Sequence, residues 1–140
     1  MIHKRLFKTL SLISLLLVLS KGAGAQLTRK FVNYDFRNNV ELRIQFRDDS
    51  LFNGSLVFMK KQGNVVDKKT DFSGSREPGS LQVRFSKKPP SLNENLRWSM
   101  RSWQIINVDR VDTIRVVFLE REPGTKKWKE AEHEFIESFE

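Results

Sequence analysis

The segment RWSMRSW carries the residue types best suited to binding in this chain. Successive side chains of a strand point to opposite faces, so a continuous strand would place Arg97, Arg101 and Trp103 on one face. Two guanidinium groups beside an indole can stack on sugar or aromatic rings and can pair with carboxylate or phosphate. We expect a binding face here, with Arg84 or Lys87 as a neighbour. The same spacing also fits a structural role, in which the arginine stems cover apolar surface.

Catalytic chemistry has little support in the sequence. Outside the first 25 residues the single histidine is His133, and a Ser-His-Asp arrangement would have to use it. Glutamates surround it, no Gly-x-Ser-x-Gly sequence is present, and we therefore expect an exposed histidine. The pattern favours a non-enzymatic protein, with a small secreted hydrolase acting through His133 or Glu94 as a remote alternative.

The chain offers few ligands for a metal or a cofactor. It contains no cysteine, and one histidine cannot supply the three or four ligands that zinc takes. Calcium needs only oxygen ligands, but Asp48-Asp49 and the pair Asp109 and Asp112 lack the spacing of a calcium loop and are typical of turns. No glycine-rich phosphate loop is present, so we predict no cofactor and no metal.

Three features of the first 25 residues match a cleaved secretory signal. Basic residues come first, an apolar run from Leu10 to Leu19 follows, and Ala23-Gly24-Ala25 supplies small residues before the expected cleavage site. The apolar run is shorter than the roughly 20 residues that a membrane-spanning helix needs. We predict cleavage after Ala25, a periplasmic or secreted location, and a single domain over residues 26–140.

Charge suggests the class of partner. Removing the basic residues of the signal lowers the formal net charge from +8 to +4, with an excess of basic groups before residue 104 and of acidic groups after it. The lysine pairs lie at expected strand ends, where lysine commonly prevents edge-to-edge pairing, so nucleic-acid binding is disfavoured. We predict an exported binding module that engages another protein or an envelope or matrix component, or alternatively one that binds carbohydrate or an anionic polymer.

Alternating hydrophobicity predicts that the chain is built from strands. Val40 to Arg47 alternates apolar and polar residues strictly, which is typical of a strand with one solvated face. Asn53-Gly54 is a strong tight-turn pair, and the glycines and proline of residues 73–79 indicate a loop. The run Val116-Val117-Phe118-Leu119 predicts a strand buried on both faces. We lean toward a further strand over residues 127–135, with a C-terminal helix as the alternative.

Seven or eight short strands separated by turns indicate an all-β protein, and we predict an antiparallel β-sandwich, Ig-like or transthyretin-like. The rhythm of strands and turns over residues 53–74 resembles transthyretin-like bacterial sandwich modules, a resemblance that implies a sandwich and no particular function. An outer-membrane barrel would need about eight strands of 9–11 residues, which would strain a mature chain of this length.

Overall fold

A computed structural model describes residues 27–33, 40–48, 50–60, 65–99 and 101–139, and the expected signal sequence lies outside them. This part of the chain forms nine strands and no helix. The strands are β1 (Arg29–Asn33), β2 (Val40–Phe46), β3 (Leu51–Met59), β4 (Val66–Glu77), β5 (Ser80–Phe85), β6 (Leu96–Trp98), β7 (Trp103–Val108), β8 (Val111–Arg121) and β9 (Trp128–Ser138). The described residues therefore contain no helix long and apolar enough to cross a membrane.

The sheet closes on itself, so the predicted β-sandwich is wrong and the fold is an eight-stranded antiparallel barrel. Neighbouring strands pair in the order β1-β2-β3-β4-β5-β7-β8-β9, and β9 then pairs with β1 through Lys30 opposite Ser138 and Val32 opposite Ile136. The short strand β6 pairs with β8 beyond the end of β7. A closed barrel removes both sheet edges, whereas a sandwich leaves them. The sandwich implied by the resemblance to transthyretin-like modules is therefore wrong as well.

The inner face of the barrel is the hydrophobic core. On β2 the predicted alternation is confirmed, because Val40, Leu42 and Ile44 are fully buried while the residues between them are partly exposed. An interior of this size is just wide enough for side chains to fill. Aromatic rings run across it in edge contact, from Phe52 through Phe72 to Trp103, with centroid separations of 6.3 and 5.3 Å.

Two glycines sit inside the barrel, and the prediction of a turn at residues 53–54 is wrong. The predicted loop at residues 73–79 is wrong for residues 73–77, which belong to β4, and is confirmed only at the turn of Pro78 and Gly79. Gly54 lies within β3 and Gly74 within β4, each directly opposite a phenylalanine of the other strand, Phe72 and Phe52. A β-carbon on Gly54 would lie 2.7 Å from the Phe72 ring, and one on Gly74 would lie 2.7 Å from the Phe52 ring. The rings therefore occupy the space that the glycines leave, as expected where strands bend sharply in a small barrel.

The segment that should have formed one strand with a binding face is interrupted. Trp98 at the end of β6 and Trp103 at the start of β7 both point into the core, with ring centroids 6.5 Å apart. Five positions separate them, and a regular strand would place them on opposite faces. Trp103 is only 2% exposed, so the prediction that it shares a face with Arg97 and Arg101 is wrong.

The C-terminal segment is a strand, as the Pro-Gly turn before it indicated, and the helical alternative is wrong. β9 pairs with β8 over nine positions, from Thr113 opposite Ile136 to Arg121 opposite Trp128. Its side chains alternate between the core, where Phe135 is fully buried, and solvent. The strand also supplies the closing contact with β1, so the last element of the chain decides the architecture.

Candidate functional site

Polar side chains form two rows across the outer face of β1 to β4. In the first row Lys30 lies opposite Arg43, Arg43 opposite Ser55, and Ser55 opposite Asp71. Outward positions of adjacent strands lie side by side, so a regular register produces such a row. The Ser55 hydroxyl donates to the Asp71 carboxylate at 2.7 Å, which orients both groups.

The second row is made of uncharged hydrogen-bonding groups. Gln45 donates from Nε2 to the Thr28 hydroxyl at 3.0 Å, and Asn53 donates from Nδ2 to Gln45 Oε1 at 3.4 Å. Arg47 donates to Asn53 Oδ1 at 2.9 Å. Amide and hydroxyl groups both donate and accept, so this row can exchange its mutual hydrogen bonds for bonds to a polyhydroxylated ligand.

These rows line an open groove of about 1270 Å³ that continues into one mouth of the barrel. We call it the β1–β4 groove. The mouth contributes Arg29, Phe46, Arg76 and Glu137. Five basic side chains and two carboxylates line the whole groove. The basic residues are Arg29, Lys30, Arg43, Lys69 and Arg76, and the carboxylates are Asp71 and Glu137. The groove is therefore polar and net basic.

An ion-pair network holds one side of the mouth. Arg29 donates from Nε and Nη2 to the two oxygens of Glu137, at 2.9 and 2.6 Å, and from Nη2 to Asp112 Oδ2 at 2.6 Å. Asn107 donates to the other oxygen of Asp112 at 3.0 Å. These bonds connect β1, β7, β8 and β9 around the closure of the barrel. The hydrogen bond to Glu137 is the main cause that raises the pKa of Arg29, so its charge is permanent.

On the opposite side of the mouth, a guanidinium lies against an aromatic ring and not between carboxylates. Arg76 projects from β4 with its Cζ 4.9 Å from the centroid of the Phe46 ring, and the Arg29 Cζ lies 5.3 Å from the same centroid. A guanidinium near an aromatic ring is held in place by the ring quadrupole. None of the ion pairs in the described part of the chain involves Arg76.

We expect the Asp112 carboxylate to make stability depend on pH. The hydrogen bond from Asn107, followed by that from Arg29, holds the pKa of Asp112 below its ordinary value of 3.8. A lowered folded-state pKa stabilises the fold above the unfolded value, and this contribution is lost as the pH falls through the folded-state pKa. The free energy of unfolding, measured with urea, should therefore fall less in Asp112→Asn than in wild type between about pH 5 and about pH 2. We expect the difference between the two falls to be roughly 0.5–1 kcal/mol.

Asp109→Asn is the matched control, because Asp109 lies in an exposed turn of the same mouth. Its φ of 51° is one that asparagine tolerates, so the substitution keeps the turn. Asp48, whose pKa is lowered by the backbone amides of Ser50 and Leu51, contributes equally to wild type and both variants. The assignment to Asp112 is wrong if its variant follows the wild-type pH profile.

The sequence-predicted binding residues do not assemble into one site. Arg97 points outward and stacks over Trp128 at 4.1 Å, and Arg101 pairs with Glu130 at 2.8 Å. Both arginines therefore lean over β8 toward β9, while Trp103 lies in the core beneath. On the outer face of β6, β8 and β9, Arg97 and Arg101 are thus already in contact with Trp128 and Glu130. A binding role for the two arginines stays a prediction.

The two predicted neighbours lie on the β5 side. Arg84 is an exposed, outward residue of β5 and borders a second, smaller groove of about 660 Å³ with Arg47 and Gln82. Lys87 is exposed in the segment that follows β5. The structure gives neither residue a contact with Arg97 or Arg101, and their binding role also stays a prediction.

His133 is not the exposed side chain that the sequence suggested. It occupies an inward position of β9 opposite Val116, and its ring meets Phe118 edge-on with centroids 5.3 Å apart. Within the described ranges no three His, Cys, Asp or Glu side chains are grouped closely enough to hold a metal ion. Asp48 accepts hydrogen bonds from the backbone amides of Ser50 and Leu51, which is the turn role that its sequence context favoured.

Sequence reasoning missed the residues of the β1–β4 groove. Arg43 and Gln45 are the polar half of the alternating segment that the sequence analysis used only to identify a strand. Arg76 falls in the stretch interpreted as a loop, so its inward direction was hidden. A search of the polar positions of β2 and β3 for a shared face could have found the outer rows.

Comparisons with known proteins add little. No protein-family model and no curated protein matches the chain. Among solved structures, the chain is similar to apo shwanavidin, with a TM-score of 0.47 and 15% sequence identity, covering 79% of this chain and 96% of that chain. At this level of similarity we transfer no ligand from that protein, and the barrel rests on the strand pairings of this chain itself.

Proposed function

We propose that this protein is a non-enzymatic binding protein that holds a carbohydrate chain in the β1–β4 groove. The observation that carries the proposal is the row of amide and hydroxyl side chains from Thr28 through Gln45 to Asn53, flanked by basic residues. Such groups donate to and accept from sugar hydroxyls.

The size and shape of the groove favour an extended ligand. Pockets for small molecules usually enclose about 300–1,000 Å³ and bury most of the ligand. The β1–β4 groove is larger, about 1270 Å³, and open to solvent along its length. Several sugar units of an oligosaccharide would fill it, whereas a single small metabolite would leave most of its polar lining solvated.

Isothermal titration calorimetry with hexasaccharides tests this proposal. The probes are cellohexaose, chitohexaose and hexagalacturonate, titrated into the chain from residue 26 onward. We expect at least one to bind, and Gln45→Ala to weaken that binding about three- to ten-fold, as the loss of one or two neutral hydrogen bonds does. Gln45 is the middle group of the row, so its removal disturbs both neighbours.

Gln104→Ala is the matched control. Gln104 is also an outward glutamine on a strand, but it lies on β7 and does not line the groove. The control should bind as wild type does, with both variants keeping the wild-type melting temperature. Absence of binding to all three probes, or equal weakening in the two variants, would refute the proposal.

The predicted protein partner has no support among the described residues. The face expected to serve it carries ion pairs and a cation–π stack, Arg101 with Glu130 and Arg97 with Trp128, that a partner would have to displace. Export through a signal cleaved after Ala25 is kept as part of the proposal, since an extracellular or periplasmic protein would meet polysaccharides of the cell envelope. N-terminal sequencing of the protein recovered from outside the cytosol would test it.

A further inference from the structure

We infer that Arg76 forms an anion-binding subsite at the barrel mouth, so that the preferred ligands are saccharides bearing a carboxylate or another oxyanion. This inference rests on the carbohydrate-binding proposal and narrows its ligand class. Arg76 lines the β1–β4 groove from an inward position at the end of β4. The groove and the barrel mouth meet at this residue.

The two arginines of the mouth differ in what occupies their donors. Arg29 is engaged by Glu137 and Asp112, at distances from 2.6 to 2.9 Å. In the part of the chain that the structure describes, the Arg76 guanidinium makes no ion pair. It lies 4.9 Å from the centroid of the Phe46 ring, and the charge of Asp112 acts on it from beyond ion-pair distance. Its N–H donors therefore hold no carboxylate of the described residues, whereas Nε and Nη2 of Arg29 donate to two carboxylates.

The carboxylates of the mouth are held by Arg29 and Asn107, and neither makes an ion pair with Arg76. Both oxygens of Glu137 accept from Arg29, and the two oxygens of Asp112 accept from Arg29 and Asn107. Arg29 therefore neutralises much of the negative charge that would otherwise repel an incoming anion. Because the two carboxylates are hydrogen-bonded within this network, we infer that Arg76 takes its anionic partner from a ligand.

The position of Arg76 is also suited to selective binding. The ring of Phe46 supports the guanidinium, and the Arg76 backbone amide donates to the Ser50 carbonyl at 2.6 Å, which anchors the strand end. A pre-positioned guanidinium loses less freedom when it binds, and its planar fork matches the two oxygens of a carboxylate. Phosphate and sulfate esters offer the same chemistry, so the inference names oxyanions as a class.

The test compares one saccharide backbone with and without charge. Hexagalacturonate and its fully methyl-esterified form are titrated into wild type, Arg76→Gln and Arg76→Lys, and dextran sulfate tests the sulfate source. We expect the acid to bind more tightly than the ester, and Arg76→Gln to weaken binding of the acid about 10- to 100-fold while leaving the ester nearly unchanged. Arg76→Lys should be intermediate, since it keeps the charge but loses the fork.

Arg121→Gln is the control, because Arg121 is an exposed arginine at the end of β8, outside the β1–β4 groove. Circular dichroism confirms that each variant is folded before it is titrated. If the ester binds as tightly as the acid, or if Arg121→Gln weakens binding of the acid as much as Arg76→Gln does, the subsite is refuted while carbohydrate binding stands. If wild type binds neither saccharide nor the probes of the preceding section, the function itself is refuted.

Discussion

Trp103→Ala should lower the free energy of unfolding by about 3–5 kcal/mol, the usual cost of truncating a large buried aromatic residue. Trp103 is 2% exposed and meets the rings of Phe72, Phe85 and Trp98 at centroid separations of 5.3, 6.1 and 6.5 Å. Trp103 lies where β7 pairs with β5, and this pairing covers only two positions. A cavity at this point would therefore weaken the part of the barrel wall that has the fewest backbone hydrogen bonds.

Urea denaturation followed by fluorescence measures this effect, and Arg101→Ala and Trp128→Ala are the controls. Arg101 belongs to an exposed ion pair, for which a loss of about 1 kcal/mol or less is usual. Trp128 is partly exposed and stacks under Arg97, so its truncation should cost less than that of Trp103. A Trp103→Ala variant as stable as Arg101→Ala would contradict the placement of Trp103 in the core.

Gly74→Ala should be the second strongly destabilising change, by about 3 kcal/mol, at the upper end of the range usual for overpacking. A β-carbon at this position would overlap the backbone carbonyl of Gln82 and would lie 2.7 Å from the Phe52 ring. A flexible side chain can move aside, but the Gln82 carbonyl belongs to the adjacent strand β5 and cannot move without disturbing the β4–β5 pairing.

Ser73→Ala is the matched control, because Ser73 is the preceding residue of the same strand and points to solvent. It should change stability by less than about 0.5 kcal/mol, as surface substitutions commonly do. Thermal unfolding of the two variants measures the difference. Equal melting temperatures would show that β4 can shift away from β5 and that the absence of a side chain at Gly74 is not required.

Part of the fold was readable from local pattern. The alternation of Val40 to Phe46 and the Pro-Gly turn before β9 predicted strands, and strands form at both places. Glycine was the main source of error. Gly54 and Gly74 were interpreted as turn residues, although both lie inside strands where a facing phenylalanine needs their space. Local sequence cannot separate these two uses of glycine, since the reason lies on another strand.

The candidate site was less readable than the fold. Arg97, Arg101 and Trp103 were placed on one face because a continuous strand was assumed, and the break between β6 and β7 turns Trp103 inward. The proposed anion-binding role of Arg76 depends on the Phe46 ring beside it and on the carboxylates that are paired with Arg29. These residues come from different strands. Residue types alone do not show which of two arginines is paired with carboxylates.

Composition and hydrophobic period by themselves determined an all-β, cysteine-free chain with one apolar and one polar face per strand, because side-chain direction along a strand is a local property. Whether the apolar faces would pack as two sheets or enclose one interior was decided only by tertiary structure, since it depends on the pairing of β9 with β1 across more than a hundred residues. The same closure brings Arg29, Asp112 and Glu137 together at the mouth, where Arg76 also lies.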